Sequence, residues 1–209
     1  MKCPLCQTEN SNYYSDHYFY CNKCQAVYLD KESYLDSAKE KARYLEHNND
    51  VNCLKYQKFV SPITDYIFAN YGKADLGLDF GSGTGPVISK ILTDKDYNIK
   101  QYDPFFSHDK SLLDQKYDYI ASCEVVEHFH NPNKDFLLLK KLLKNGGKLL
   151  LQTHIYDENK INFKNWYYQN DLTHVFIYQY NTIKYIAAQL GFNILKLDER
   201  FIVLEKPLP

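Results

Sequence analysis

The feature that most constrains the fold is the decapeptide Gly77–Pro86, with the sequence GLDFGSGTGP. A short apolar run that carries an acid, Asp79, leads directly into three glycines spaced two apart, Gly81, Gly83 and Gly85. Because a helical pattern follows, this order predicts a strand, a tight turn and a helix. Glycine has no Cβ, so the turn can lie against a ligand, and we expect it to hold a cofactor. A turn without a ligand is the alternative.

The spacing of these glycines differs from the dinucleotide fingerprint G-x-G-x-x-G. Counted from Gly81, the third glycine of that fingerprint would fall at Pro86, and counted from Gly83 it would fall at Ile88. The sequence has acid-x-G-x-G-x-G instead, so a dinucleotide is not the expected cofactor.

Composition sets the size of the fold and the class of partner. The chain has 209 residues, of which 44% are hydrophobic, enough for one core and a small appendage. A formal net charge of −1 argues against holding nucleic acid by bulk electrostatics. The N-terminus has no apolar leader pattern, and no apolar run approaches about eighteen residues. We therefore expect a cytoplasmic protein that does not enter the membrane.

Four cysteines predict a zinc ribbon over residues 1–30. Two C-x2-C pairs are separated by fourteen residues, Cys3 with Cys6 and Cys21 with Cys24. In a reducing compartment four such thiolates can close a tetrahedral zinc site, which is structural because no position stays open for a substrate. A redox dithiol pair is the alternative. Since the ribbon has two lysines against three acids, we expect a structural or substrate-covering role and not RNA binding.

Residues 31–72 are predicted to form a helical cap, with one helix from Lys31 to about Asn49 and a second from Lys55 to Tyr71. Arg43 and His47 share a face of the first helix and can look onto the cofactor. A solvated helix face is an equal alternative. Residues 73–209 are left for the catalytic domain.

Acidic and histidine side chains follow the predicted strands at their carboxyl ends, where open α/β sheets bind ligands. Asp103 and Pro104 end the strand after the glycine loop, and an acid there can accept both hydroxyls of a ribose; a turn aspartate is the alternative. Glu124, Glu127 and His128 end the next strand at helical spacing.

This second group admits two chemistries. Two carboxylates and an imidazole can hold a divalent ion, or the histidine can act as a general base that the carboxylates orient. Acids that favour a helix N-terminus are the alternative, which does not explain the histidine. His154, after a further strand, is a candidate base or substrate ligand, or a buried structural histidine.

The acid-x-G-x-G-x-G pattern resembles motif I of the class I S-adenosylmethionine (SAM) dependent methyltransferases, and the resemblance extends from about Asp75 to the C-terminus. It implies an α/β fold with a Rossmann-like seven-stranded sheet, helices on both faces and an antiparallel last strand. It also implies SAM as cofactor and a set of binding residues. These are the loop from Gly81 through Ser82 and Gly83 to Gly85 for the methionine portion, Asp103 for the ribose and Glu124 beside the reacting methyl. Asp79, Pro104 and, from its position on the cap helix, Arg43 are further candidates for contact with the cofactor.

The segment EVVEH, residues 124–128, resembles the E-x-x-E-H segment of ubiquinone-biosynthesis O-methyltransferases and of small-RNA 2′-O-methyltransferases. In the RNA enzymes the equivalent residues and a later histidine bind a divalent metal. His174 lies in a stretch similar to the one that carries this later histidine. The resemblance thus implies a second metal site at Glu124, Glu127, His128 and His174. The ribbon and the 166–174 segment also resemble a group of bacterial methyltransferases with the same four cysteines.

These features favour methyl transfer to an oxygen, or less readily a nitrogen or carbon, of a small molecule. His128, His154 or His174, with Glu127, could expose the lone pair of the acceptor. An RNA-modifying methyltransferase and a SAM-binding regulator without catalysis are the alternatives.

Overall fold

The computed structural model describes residues 2–9, 11–46 and 49–209. The strands are β1 (Ser11–Ser15), β2 (Tyr18–Cys21), β3 (Val27–Leu29), β4 (Leu76–Phe80), β5 (Asn98–Tyr102), β6 (Tyr117–Cys123), β7 (Leu143–Gln152), β8 (Phe176–Ile177), β9 (Asn193–Leu197) and β10 (Phe201–Glu205). The helices are α1 (Ser37–Leu45), α2 (Leu54–Asn70), α3 (Val87–Thr93), α4 (Pro132–Leu142) and α5 (Tyr180–Leu190). None of the helices in these residues is long and apolar enough to cross a membrane.

The main sheet has the strand order β5-β4-β6-β7-β10-β9. Strands β5, β4, β6 and β7 run parallel, and β10 pairs antiparallel with both β7 and β9. The α/β fold with an antiparallel last strand is confirmed. The carboxyl ends of the parallel strands meet at one edge, where the glycine loop begins.

The predicted count of seven strands is wrong for the described residues, which form six in this sheet. The stretch 107–116 that would supply the missing strand contains a short 3-10 helix, Lys110–Asp114, in which only Leu112 is buried. A polar stretch with so little apolar surface cannot fill a position between a sheet and a covering helix. Consequently β5 is an edge strand.

Helices cover both faces of the main sheet, as expected. On one face, α2 and α3 pack against β6, β7 and β10, with Ile63 of α2 and Leu92 of α3 fully buried. On the other face, α4 and α5 pack through residues such as Phe136 and Ile183. The helix α2 continues through Pro62, and α1 starts only at Ser37, where Asp36 accepts a hydrogen bond from the backbone N–H of Lys39 at 2.9 Å.

The N-terminal ribbon forms a second sheet that includes a strand from the C-terminal part of the chain. Strands β1, β2 and β3 form an antiparallel meander, and β3 pairs with β8, so that Val27 faces Ile177 and Tyr28 faces Phe176. The backbone N–H of Leu29 also donates to Val175. The ribbon is therefore joined through backbone hydrogen bonds to the stretch that directly follows His174.

Candidate active site

A crevice of about 690 Å³ opens at the carboxyl edge of the main sheet. Its size lies within the range of roughly 300–1,000 Å³ that is typical of small-molecule sites. The residues that line it come from the glycine loop, the ends of β5 and β6, the cap helix α1 and the 167–174 segment. Of the expected site residues, the lining includes Arg43, Gly81, Ser82, Gly83, Asp103, Pro104, Glu124, His128 and His174.

Two glycines of the loop are required by their surroundings. Gly81 has a φ of 78°, and a Cβ there would lie 2.4 Å from a methyl carbon of Val125. A Cβ on Gly85 would lie 1.8 Å from the carbonyl oxygen of Asn49, which precedes α2. Gly85 does not line the crevice, but the absence of a side chain there leaves room for the backbone of Asn49.

Replacement of Gly85 by alanine is expected to destabilise the protein by about 2 kcal/mol or more, because the new methyl group would overlap backbone that cannot move alone. Urea unfolding measures the change. The control is Gly72→Ala, since a Cβ at Gly72 meets nothing closer than 3.8 Å. We expect Gly72→Ala to change stability by less than about 1 kcal/mol. Equal losses in the two variants would contradict the packing argument.

The carboxylate of Asp103 is fixed at the wall of the crevice by three backbone N–H groups. Its Oδ1 accepts from Phe105 at 2.8 Å and Phe106 at 3.0 Å, and its Oδ2 accepts from Gly83 at 2.9 Å. A carboxylate has about four lone-pair sites, so Oδ2 retains acceptor capacity. The hydroxyl of Ser82, on the same loop, is buried and has no hydrogen-bond partner among the described residues. Both groups therefore have unused hydrogen-bonding capacity.

Asp79 does not line the crevice. Leu78 and Phe80 face the α4 and α5 side of the sheet, and because side chains alternate along a strand, Asp79 faces α3. There its Oδ2 accepts hydrogen bonds from the hydroxyl of Ser89 at 2.7 Å and its backbone N–H at 3.3 Å. The structure thus gives Asp79 the role of an anchor between β4 and α3 and places it away from the expected cofactor contact.

Burial raises the pKa of Asp79 to about 6. The folded state then binds a proton that the unfolded state has lost, so this stability contribution is present below the ordinary pKa of 3.8 and is lost as the pH rises through 6. The difference in free energy of unfolding between Asp79→Asn and the natural chain is therefore expected to shift in favour of the variant by about 1 kcal/mol as the pH rises from about 5.5 to about 7.5. Urea unfolding at both values measures this; a difference that does not depend on pH would contradict it.

Glu124 follows β6 in an unusual backbone conformation, with a φ of 51°. Its backbone N–H donates to Gln152 on the neighbouring strand at 2.7 Å, which turns the chain at the crevice. Burial, and then the charge of Glu127, raise the pKa of Glu124 to about 8. Its Oε1 is buried and lies 3.9 Å from the guanidinium of Arg200. A cation in the crevice would stabilise the ionised form of this carboxyl.

Glu127 is fully buried between three elements. Its Oε2 accepts from the Thr153 hydroxyl at 3.0 Å, and its Oε1 accepts a short hydrogen bond from the Tyr168 hydroxyl. Glu127 has these two hydroxyl donors, and it forms no salt bridge with Lys, Arg or His among the described residues. A buried charge of this kind is costly unless a cation or further donors offset it.

The imidazoles of His128 and His174 lie beside this carboxylate with ring centroids 4.9 Å apart. A hydrogen bond at Nδ1 orients each ring. Nδ1 of His128 lies 2.8 Å from the carbonyl oxygen of Thr173, and Nδ1 of His174 lies 2.7 Å from that of Tyr168. A carbonyl only accepts, so Nδ1 carries the hydrogen and, in the neutral ring, Nε2 carries the lone pair.

The candidate ligand atoms of Glu127, His128 and His174 lie within 4.8 Å of one another. Glu124 is outside this group, so three of the four residues expected at a second metal site come together. Burial lowers the pKa of His174, with the neighbouring charge of Glu127 acting in the opposite direction, and this keeps a lone pair available near neutral pH. The arrangement can accept a proton or bind a cation.

His154 does not line the crevice. Its Nδ1 accepts from Arg200 at 3.0 Å and its Nε2 lies 3.4 Å from Glu199, so both nitrogens are engaged behind the aromatic side chains of Trp166 and Tyr168. Burial, and then Arg200, lower its pKa. These surroundings fit a buried structural histidine, the alternative given above, better than a base or a substrate ligand.

Arg43 lines the crevice, but its guanidinium is committed to other partners. Its Nη2 and Nε donate to Asp171 at 2.8 and 3.1 Å, and its Nη1 donates to Glu46 at 2.9 Å. Although burial raises the pKa of Asp171, hydrogen bonds from Thr173 and Arg43 lower it to about 2. Arg43 therefore holds the cap helix against the 167–174 segment. His47, expected on the same face, lies outside the described residues.

The four ribbon cysteines form one compact group. The sulfurs of Cys3 and Cys24 are 3.6 Å apart, those of Cys6 and Cys21 are 3.4 Å apart, and all four lie within 4.8 Å of one another. Tetrahedral zinc with bonds of about 2.3 Å separates its thiolates by roughly 3.8 Å. The donor set fits a structural zinc ion.

Comparison with known proteins agrees with the fold. A family model described as a methyltransferase domain matches residues 34–197. One chain of the complex between the Haloferax volcanii Trm112 methyltransferase activator and a methyltransferase aligns with a TM-score of 0.53 and 12% identity, covering 81% of this chain and 98% of the other. No curated protein matches the sequence.

Two further structures show the same fold. An O-methyltransferase family protein from Burkholderia thailandensis has a TM-score of 0.55 at 10% identity, and covers 81% of this chain. Human N-acetylserotonin methyltransferase, solved with SAM, has a TM-score of 0.54 at 10% identity and covers 82%. This chain spans only 63% and 57% of the length of those two proteins. With the family model matching well over half of its residues, the chain belongs to the methyltransferase domain family and is a class I SAM-dependent methyltransferase.

Proposed function

We propose that the enzyme moves the methyl group of SAM to an oxygen of a small-molecule acceptor held in the crevice. The observation that carries this proposal is the single crevice that joins the glycine loop and Asp103 on one side to His128 and His174 on the other. Cofactor-holding groups and proton-accepting groups therefore share one space.

The cofactor fits the free polar groups of the crevice. We assign the methionine portion of SAM to the loop from Gly81 to Gly83, where the Ser82 hydroxyl needs a partner. Asp103 offers the remaining acceptor capacity of Oδ2 to a ribose hydroxyl. Glu124, whose Oε1 is buried, would face the positive charge near the sulfonium, and that charge favours its ionised form.

The proposed reaction needs positioning and one proton acceptor. The acceptor oxygen attacks the methyl carbon in line; the new O–C bond forms as the C–S bond breaks, and S-adenosylhomocysteine leaves. The acceptor's proton passes to the Nε2 lone pair of His128 or His174. Glu127, held by Thr153 and Tyr168, stabilises the imidazolium that results.

A second divalent ion also fits this side of the crevice. Two imidazole nitrogens and a buried carboxylate without a salt bridge form a mixed nitrogen and oxygen donor set that suits several divalent metals. Glu127, His128 and His174 would hold the ion, which would lower the pKa of an acceptor hydroxyl. The metal version and the base version make different predictions for chelation.

The charge of the crevice supports a small acceptor over RNA. Besides Glu124, whose pKa is raised to about 8, four acids line the described part of it, Glu40, Asp103, Asp135 and Asp171. The basic residue there is Arg43, which is already paired. A polyanion gains its affinity from lysines and arginines that contact phosphates. The lining therefore suits neutral or cationic molecules.

The test uses the zinc-loaded chain and SAM labelled in its methyl group. Calorimetry should detect SAM binding, and label should enter the low-mass fraction of a metabolite extract and not its RNA. Label in RNA would favour the RNA-modifying alternative, and SAM binding without any transfer would favour a regulator. Absence of SAM binding would overturn the proposal. Loss of transfer after chelation, with the ribbon zinc retained and activity restored by Mg²⁺ or Mn²⁺, would select the metal version.

A further inference from the structure

We infer that Tyr18, on the zinc ribbon, is a positioning residue for the histidine pair of the active site. Tyr18 begins β2, the strand that ends at the zinc ligand Cys21. Its side chain is buried, and its hydroxyl donates to two backbone carbonyls, those of Gln169 at 3.3 Å and His174 at 3.2 Å. These carbonyls lie at the two ends of a six-residue segment, so one hydroxyl joins both ends.

The segment between these carbonyls orients both imidazoles. Thr173, inside it, supplies the carbonyl that accepts from Nδ1 of His128. His174 is the last residue of the segment. Its Nδ1 donates to the carbonyl of Tyr168, the residue directly before the segment. A shift of this backbone would therefore move the acceptors that fix both tautomers. The Tyr18 hydroxyl therefore links the ribbon to this segment through a side-chain hydrogen bond.

Packing alone does not account for the hydroxyl. The Tyr18 ring contacts Phe163 edge to face with centroids 5.1 Å apart, a contact that phenylalanine would also make. The pKa of Tyr18 is raised far above its ordinary value by burial and then by Asp171, so the hydroxyl stays protonated and remains a donor. Its two acceptors are part-buried carbonyls, and phenylalanine would leave both without this donor.

Tyr18→Phe tests this inference, with Tyr28→Phe as the matched control. Tyr28 is a buried tyrosine on the adjacent strand β3, but its hydroxyl donates to Ser11 within the ribbon. Long-range ¹H–¹⁵N spectra of the full zinc-loaded chain report which nitrogen of each histidine carries the hydrogen. We expect the signals of His128 and His174 to change toward mixed tautomers in Tyr18→Phe and to remain unchanged in Tyr28→Phe, with zinc content the same in both.

The role of Tyr18 in catalysis rests on the proposed function, so kinetics test it separately from the imidazole spectra. With a methyl acceptor in hand, Tyr18→Phe should lower kcat by about tenfold and leave the KM for SAM unchanged, because only the histidines are displaced. Unchanged imidazole signals in Tyr18→Phe, or equal changes in both variants, would overturn the inference. Changed signals in a protein that transfers no methyl group would sustain the role of Tyr18 and reject the proposed function instead.

Discussion

Glu127→Gln is expected to lower kcat by about 100-fold or more and to leave the affinity for SAM nearly unchanged. The substitution keeps the shape of the side chain and removes its charge at a fully buried position. The imidazolium that forms on His128 or His174 then loses its counter-charge, and general-base catalysis is worth roughly 10²–10⁴ in rate. Because Glu127 does not line the crevice, ground-state binding of SAM should not depend on it. Steady-state kinetics and calorimetry measure the two effects.

The matched control is Glu199→Gln. Glu199 is also a carboxylate near a histidine, His154, but it is 60% exposed and lies outside the crevice. This variant should retain its kcat within about twofold, since surface ion pairs contribute little. A Glu127→Gln enzyme with the kcat of the natural chain would remove Glu127 and the histidine pair from the proposed chemistry.

The same variant separates the two versions of the site. If Glu127, His128 and His174 hold an ion, elemental analysis of Glu127→Gln should show the loss of that ion, with the ribbon zinc retained. If the histidines act as bases without a metal, the metal content should not change although kcat falls. A fall in kcat together with zinc loss from the cysteines would instead indicate that the substitution damages the fold.

The parts of the structure that depend on local sequence could be predicted. The glycine loop and the cysteine spacing both have short-range signals, and the structure shows a strand, turn and helix at the first and one compact group of cysteines at the second. The number of residues between the loop and Asp103 also predicted that the two lie together, because the loop follows β4 and Asp103 follows the neighbouring parallel strand β5.

What the sequence could not show depends on contacts across long separations. The side of β4 to which Asp79 points follows from the register of the whole sheet. Tyr168 orients Glu127 and Arg200 engages His154. Neither carries a motif that distinguishes it, Tyr168 from the other tyrosines or Arg200 from Arg43, the other arginine of the chain. The contact between Tyr18 and His174 spans 156 positions and required the pairing of β3 with β8.

Cys24→Ser is expected to lower the free energy of unfolding by at least about 3 kcal/mol, which corresponds to roughly 6–12 °C in Tm for a chain of this length. Cys24 is one of four thiolates that close the ribbon, and the short strands β1, β2 and β3 have little core of their own to replace the ion. Thermal unfolding with zinc analysis measures the loss. The control, Cys53→Ser, changes an exposed cysteine outside the group and should leave both quantities unchanged.

The loss should extend beyond the ribbon, because β3 pairs with β8 and Tyr18 donates to His174. Trp166, the only tryptophan, is buried beside Tyr168 and reports on this region. We expect Cys24→Ser to shift its fluorescence to the red and to reduce kcat, both before the main sheet unfolds. A variant that loses zinc but keeps its tryptophan spectrum and its kcat would show that the ribbon is an independent appendage. The backbone pairing to β8 argues for the opposite result, since the stretch that carries His174 would lose the strand that supports it.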